Sequence, residues 1–101
     1  MTRYSIWIED TAKRELQNVP GHMRQRIKQA IADLGDNPRP YNSKAMTSPV
    51  SFAVELRRIR IEKWRVVYVI DEAEASLGVY AIRRRPPYAY DDLVELLAGL
   101  Q

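Results

Sequence analysis

Cysteine is absent from the 101 residues and histidine occurs once. The first absence removes disulfide bridges, thiolate nucleophiles and cysteine-based zinc sites together, and is compatible with a reducing compartment. The second excludes a ribonuclease that works with paired histidines as base and acid. His22 lies in "PGHM", between two helical patterns, and reads as a surface turn residue. No Asp, Glu and His residues stand at metal-ligand spacing, so the expectation is no metal and no other cofactor. Long apolar runs are missing too: nothing approaches the roughly 20 residues that cross a bilayer. The opening "MTRYSIWIED" sets charges on both sides of a short apolar stretch, unlike a secretory signal. These absences predict a soluble, cytoplasmic protein with no membrane partner.

What is present is a compact hydrophobic content with unevenly placed charge. At 46% hydrophobic residues the chain can bury a modest core, as a single domain over residues 1–101. Its net charge is only +3, but the cations are concentrated. In "RRIRIEKWR", residues 57–65, five basic residues stand with one acid, and Arg83, Arg84 and Arg85 add three more. A local excess of cations in a nearly balanced chain points to an anionic polymer or an acidic partner protein rather than a neutral metabolite.

Periodicity divides the chain into elements. Tyr4, Ile6 and Ile8 alternate with Arg3, Ser5 and Trp7, a strand pattern. Asp10 or Thr11 then suits a helix N-cap, Ala12, Leu16 and Val19 recur at helical spacing, and Pro20-Gly21 ends the run. Met23, Ile27, Ala30, Ile31 and Leu34 make the apolar stripe of a second helix, antiparallel to the first, with Gly35 as a left-handed exit. Residues 36–51 carry three prolines and read as a loop. Strands follow at 52–57, 64–70 and 77–82, joined by short polar turns into a meander. Asp91 and Asp92 precede a leucine stripe that predicts a short terminal helix. The expected fold is α+β, in the order β-α-α-β-β-β-α, an antiparallel sheet packed by an N-terminal helical hairpin and a short C-terminal helix.

Over nearly the whole chain this layout, with "FAVELR", "WRVVYVI" and "RRRPPYAYDDL", resembles the RelE/ParE toxin superfamily, and its RelE branch more closely. The resemblance implies a RelE-like microbial ribonuclease fold and the toxin of a type II toxin-antitoxin system. The activity implied is that of a ribosome-dependent endoribonuclease, an mRNA interferase that cuts messenger RNA in the ribosomal A site without a metal and so inhibits translation. Its partners would be a RelB-like antitoxin and the ribosome with its mRNA and rRNA. By the same resemblance Arg65 would contact the scissile phosphate, with Arg84 at the end of the last strand and Tyr90 just before the terminal helix, and Tyr88 in reserve. At the positions of the family's two strand lysines this sequence has Ala53 and Glu55, with about three extra residues before Trp64. A ParE-like toxin that poisons DNA gyrase without nuclease activity is the alternative.

The residue types fit this chemistry. Metal-free RNA cleavage needs in-line attack of a 2′-hydroxyl on its phosphate, a base, an acid, and stabilisation of charge on the phosphorane. Arginine holds its proton beyond pH 12 and cannot be the base, but its planar fork grips phosphate. Tyrosine, with an ordinary pKa near 10, can stack on a base and exchange a proton where guanidinium groups lower that value. Arg57, Arg58, Arg60, Lys63, Arg83 and Arg85 are the expected RNA contacts, and Glu55 is a weaker base candidate. The plainer readings are an ion pair of Arg65 with Glu55 or Glu62, core positions for Trp64 and Tyr68, and an ion-pair role for Glu55.

Overall fold

The structure, a computed structural model, describes residues 3–46 and 55–84. The predicted terminal helix, Ala53, Arg85, Tyr88 and Tyr90 lie outside the described residues. The chain runs β1 (Ser5–Ile8), α1 (Asp10–Gln17), α2 (Gly21–Leu34), β2 (Ser43–Ala45), β3 (Glu55–Ile61), β4 (Trp64–Asp71) and β5 (Ser76–Arg84). The five strands form one sheet in the order β1-β5-β4-β3-β2. The α+β class with a helical hairpin and a β3-β4-β5 meander is as expected, but the sheet is mixed: β1 pairs with β5 in parallel, from Ser5↔Ser76 to Ile8↔Val79. Both helices and β2, β3 and β4 lie between the two in sequence, and because β2 to β5 alternate in direction, the last strand arrives beside β1 running the same way.

Alternation decides which side chains meet the helices. On one face Ile6, Ile8, Ile59, Ile61, Val66, Tyr68, Ile70, Leu77, Val79 and Ile82 pack with Ala12, Leu16, Val19, Met23, Ile27, Ile31 and Leu34 from the two helices. Each fully buried Ile, Leu or Val contributes roughly 1.5–3 kcal/mol, so this layer is the main stabilising feature of the fold. Tyr68 is wholly buried, and its hydroxyl donates to the Pro38 carbonyl at 2.7 Å. Trp64 packs at the margin of the same layer, so both aromatics belong to the core.

Local details depart from the sequence reading. Glu9, in an extended conformation, caps α1 without a side-chain hydrogen bond, and Asp10 sits in the first turn. Gly35 ends α2 in a right-handed conformation at φ −60°. Its missing side chain matters through proximity instead: a Cβ there would stand 3.3 Å from the Tyr4 carbonyl oxygen, where the Tyr4 amide bonds the Gly35 carbonyl at 2.8 Å. Residues 36–51 are not all loop, because Ser43–Ala45 pairs with Ile59, Arg58 and Arg57 as an edge strand. The extra residues before Trp64 are strand too: β3 continues to Ile61 and turns tightly through Glu62 and Lys63. Beyond the Val67/Tyr68 irregularity the extra residue on β5 is Tyr80, which meets Trp7 edge to face at 6.4 Å.

Candidate nucleic-acid interface

The strand register puts like charges side by side. Arg65 of β4 stands opposite Arg60 of β3 on one flank and Arg83 of β5 on the other, a row of three arginines across three strands. One row along, Lys44 of β2 stands opposite Arg58 of β3. Two residues separate Arg58 from Arg60, so alternation points both to the outer face, away from the helices. Directly opposed like charges destabilise a sheet, so an anion on this face would relieve the repulsion. Lys44, Arg58, Arg60 and Arg65, with Tyr41, Asn42 and Ser43, line an open hollow of about 450 Å³.

The cations of this face differ in how they are held. Arg65 is half-buried, and its Nη1 donates to the carbonyls of Glu62 and Trp64 at 3.0 and 3.1 Å, which ties it to the β3-β4 turn. Glu62 spends its carboxylate on Arg26 of α2. Arg83 was expected among the RNA contacts, but its side chain is only 9% exposed and forms an ion pair with Glu15 of α1. Glu15 also accepts from the Ile82 amide at 3.1 Å, on the edge of β5 beyond the end of β1. Arg83 thus anchors α1 to the sheet. Among the described residues, no carboxylate forms an ion pair with Lys44, Arg58 or Arg60.

Arg57, also expected to touch RNA, is on the helix side. Its side chain is 15% exposed, donating to Glu55 at 2.6 Å and to the Ser43 hydroxyl at 2.8 Å. Glu55 is shared with Arg39, which also reaches Glu72, and Glu72 accepts from the Tyr4 hydroxyl at 2.7 Å. Arg39 chiefly, and Arg57 next, hold the Glu55 carboxyl below the ordinary range against the opposing effect of burial. Tyr4 first and Arg39 second do the same for Glu72. A carboxylate with a lowered pKa is a weaker base. Glu55 also stands opposite Ile70, five residues along β4 from Arg65, or about 17 Å at the rise of a strand. Glu55 is thus an ion-pair partner of Arg39 and Arg57, well away from Arg65.

Arg84 and Lys63 are exposed on the other side of the sheet end. Arg84 is the partner of Trp64, and together with Pro20, Met23, Glu62 and Lys63 these residues surround a hollow of about 210 Å³. The described structure therefore sets Arg65 and Arg84 on opposite faces and does not bring them together. Burial, with the Glu9 carboxylate adding to it, pushes the Tyr80 phenol up to about 12, and burial also raises Tyr68. Among the described residues no three His, Cys, Asp or Glu side chains gather as a metal site, and no helix is long and apolar enough to cross a membrane.

Sequence reasoning missed Lys44 and Tyr41. Both lie in the proline-rich stretch read as loop, where a three-residue strand is too short to show a period.

A mixed five-stranded sheet with a helical hairpin on one face defines the fold, and solved structures share it. The chain is similar to the archaeal RelE of the RelE-RelB complex from Pyrococcus horikoshii, with a TM-score of 0.74 and 18% identity over 86% of this chain and 100% of that one. It is similar to a toxin-antitoxin complex, RelBE2, from Mycobacterium tuberculosis, with a TM-score of 0.70 and 19% identity over 83% and 100% of the two chains. The isolated E. coli RelE toxin aligns with a TM-score of 0.66 and 15% identity over 97% and 99%. No curated protein matches the sequence as a relative. The profile of the ParE toxin of type II toxin-antitoxin systems, parDE, matches residues 6–86. The chain belongs to this ParE toxin family, and its fold is RelE-like.

Proposed function

We propose that this toxin acts on RNA, as a ribosome-dependent endoribonuclease that cuts mRNA in the A site by metal-independent attack of the 2′-hydroxyl, under the control of a RelB-like antitoxin. The observation that supports this reading is the outer face, where Arg60 opposes Arg65 and Lys44 opposes Arg58 around one open hollow. Their fixed positive charge suits a phosphate backbone, and a half-buried Arg65 held by two carbonyls is oriented before substrate arrives. Among the described residues the hollow's lining contains no carboxylate or imidazole. Proton transfer is accordingly assigned, from the sequence, to Tyr90 with Tyr88 in reserve. Such a site orients free RNA poorly and depends on the ribosome to present the message.

Poisoning of DNA gyrase is the second reading. It is favoured by the match to the ParE profile and by the placement of Arg65 and Arg84 on opposite faces. One experiment separates the two: a defined message is translated in a purified bacterial system with the toxin, new 3′ ends are mapped, and gyrase is assayed in parallel for trapped DNA cleavage. The expected outcome is cutting of ribosome-held message, little cutting of free RNA, and a loss on the order of 10² or more in rate for Arg65→Ala. No new ends together with trapped gyrase complexes would establish the second reading.

A further inference from the structure

Two large apolar side chains are exposed among the described residues, Trp7 at 39% and Tyr41 at 101%. Trp7 is accounted for by the fold. Its indole lies over Gly78, where any Cβ would collide with it, meets Tyr80 edge to face, and donates from Nε1 to Glu9 at 2.9 Å. Tyr41 has no such role: its ring is fully in solvent, and it makes no hydrogen bond among the described residues.

Its backbone, however, is fixed. Ser43 donates from its amide to the Pro40 carbonyl at 2.9 Å and from its hydroxyl to the same oxygen at 2.7 Å, closing a turn around Tyr41 and Asn42. The Arg60 amide bonds the Asn42 carbonyl at 3.3 Å, so the turn is fastened to β3 beside the cation rows. Pro40 immediately before the ring restricts the chain further. A free ring on a pinned turn is therefore presented at a set place. That place is the divide between two open hollows of about 450 and 470 Å³, both bordered by Tyr41, Asn42 and Arg60. A positively charged groove beside an exposed aromatic is the combination by which proteins hold single strands, with the phosphates on the cations and a base on the ring.

We propose that Tyr41 is a stacking platform for one base of a single-stranded RNA whose phosphates lie on Lys44, Arg58, Arg60 and Arg65. The inference rests on the RNA-directed reading above and adds to it a residue that grips a base by its face, without reading its edge. Purines, with the larger π surface, should be preferred over pyrimidines, and Tyr41→Phe should keep the function because the hydroxyl takes no part.

The test measures binding of the intact toxin, at low salt, to hexaadenylate and to a hexamer of abasic nucleotides with the same phosphates. Wild type should bind hexaadenylate on the order of ten-fold more tightly than the abasic strand, given the usual worth of one stacked base. Tyr41→Ala should abolish that gap with its affinity for the abasic strand and its melting temperature unchanged. Tyr41→Trp should keep the gap and show its added indole emission quenched on binding. A Tyr41→Ala variant that retains the gap overturns the platform alone. A variant that loses affinity for a hexaglutamate peptide as much as for RNA assigns the ring to an acidic protein segment and also overturns it. Wild type that binds neither strand overturns the RNA reading together with the inference.

Discussion

Arg57 and Arg58 are neighbours in the chain and live in different surroundings. Arg57 faces the helix side, where Glu55, Ser43, Arg39, Glu72 and Tyr4 form one connected set of ion pairs and hydrogen bonds. Arg58 faces outward, opposite Lys44 and two residues from Arg60, with no acid to neutralise it among the described residues. The same residue type serves cohesion on one face and leaves charge uncompensated on the other. Neutralised arginine is part of the structure, whereas arginine held beside further cations keeps its charge open to the surroundings.

Breaking the pairs on the cohesive side should give the largest effects. Glu15→Ala leaves the Arg83 charge and the Ile82 amide without the carboxylate that serves both. The expected loss is about 3 kcal/mol, because the Ile82 amide loses its acceptor and the little-exposed Arg83 loses the Glu15 carboxylate. For a domain of this size that lowers the melting temperature on the order of 10–20 °C, as thermal unfolding would report. Glu15→Gln, which keeps an acceptor for the amide, should fall between the variant and wild type.

The sharpest form of the comparison sets Arg57→Ala against a double Arg58→Ala, Arg60→Ala variant. The first should cost roughly 1–3 kcal/mol of stability, because Glu55 and the Ser43 hydroxyl lose a little-exposed donor while Arg39 still holds Glu55, and leave the salt dependence of RNA binding unchanged. The second should leave the urea midpoint unchanged and reduce the slope of log affinity against log salt by about 1.4, from two phosphate contacts at ~0.7 each on a single strand. A loss of salt dependence in the Arg57 variant, or of stability in the double variant, would show that the division between faces is wrong.

Smaller effects appear in the pH profile. Glu55 and Glu72 have depressed pKa values in the folded state, so their contribution is fully present above the unfolded value of about 4.3 and is lost as pH falls through the folded values. Urea midpoints should drop in that acid window, and Glu55→Gln should flatten the drop. Tyr80 behaves oppositely: its folded pKa is raised, so its contribution is complete below about pH 10 and is lost as pH rises through about 12. Tyr80→Phe should remove that alkaline loss, as midpoints from pH 9 to 12 would show.

The sequence by itself determined the helices, the meander and the positively charged character of 57–65, because each rests on local period and composition. Met23, Ile27, Ile31 and Leu34 could form their stripe only as a helix, and Val66, Tyr68 and Ile70 their shared face only as a strand. The tertiary structure alone decided the parallel partner of β1, the short β2, and which cations are spent on the fold. Arg57, Arg58 and Arg83 are alike in the chain. Their division depends on the packing that turns Arg57 and Glu55 together to the helix side, where Arg39 joins them, on β1 ending early enough for Glu15 to reach β5, and on Lys44 arriving opposite Arg58 from a distant segment. Charge pairing depends on distance in space, and period in sequence sets a side chain's face without naming what stands across from it.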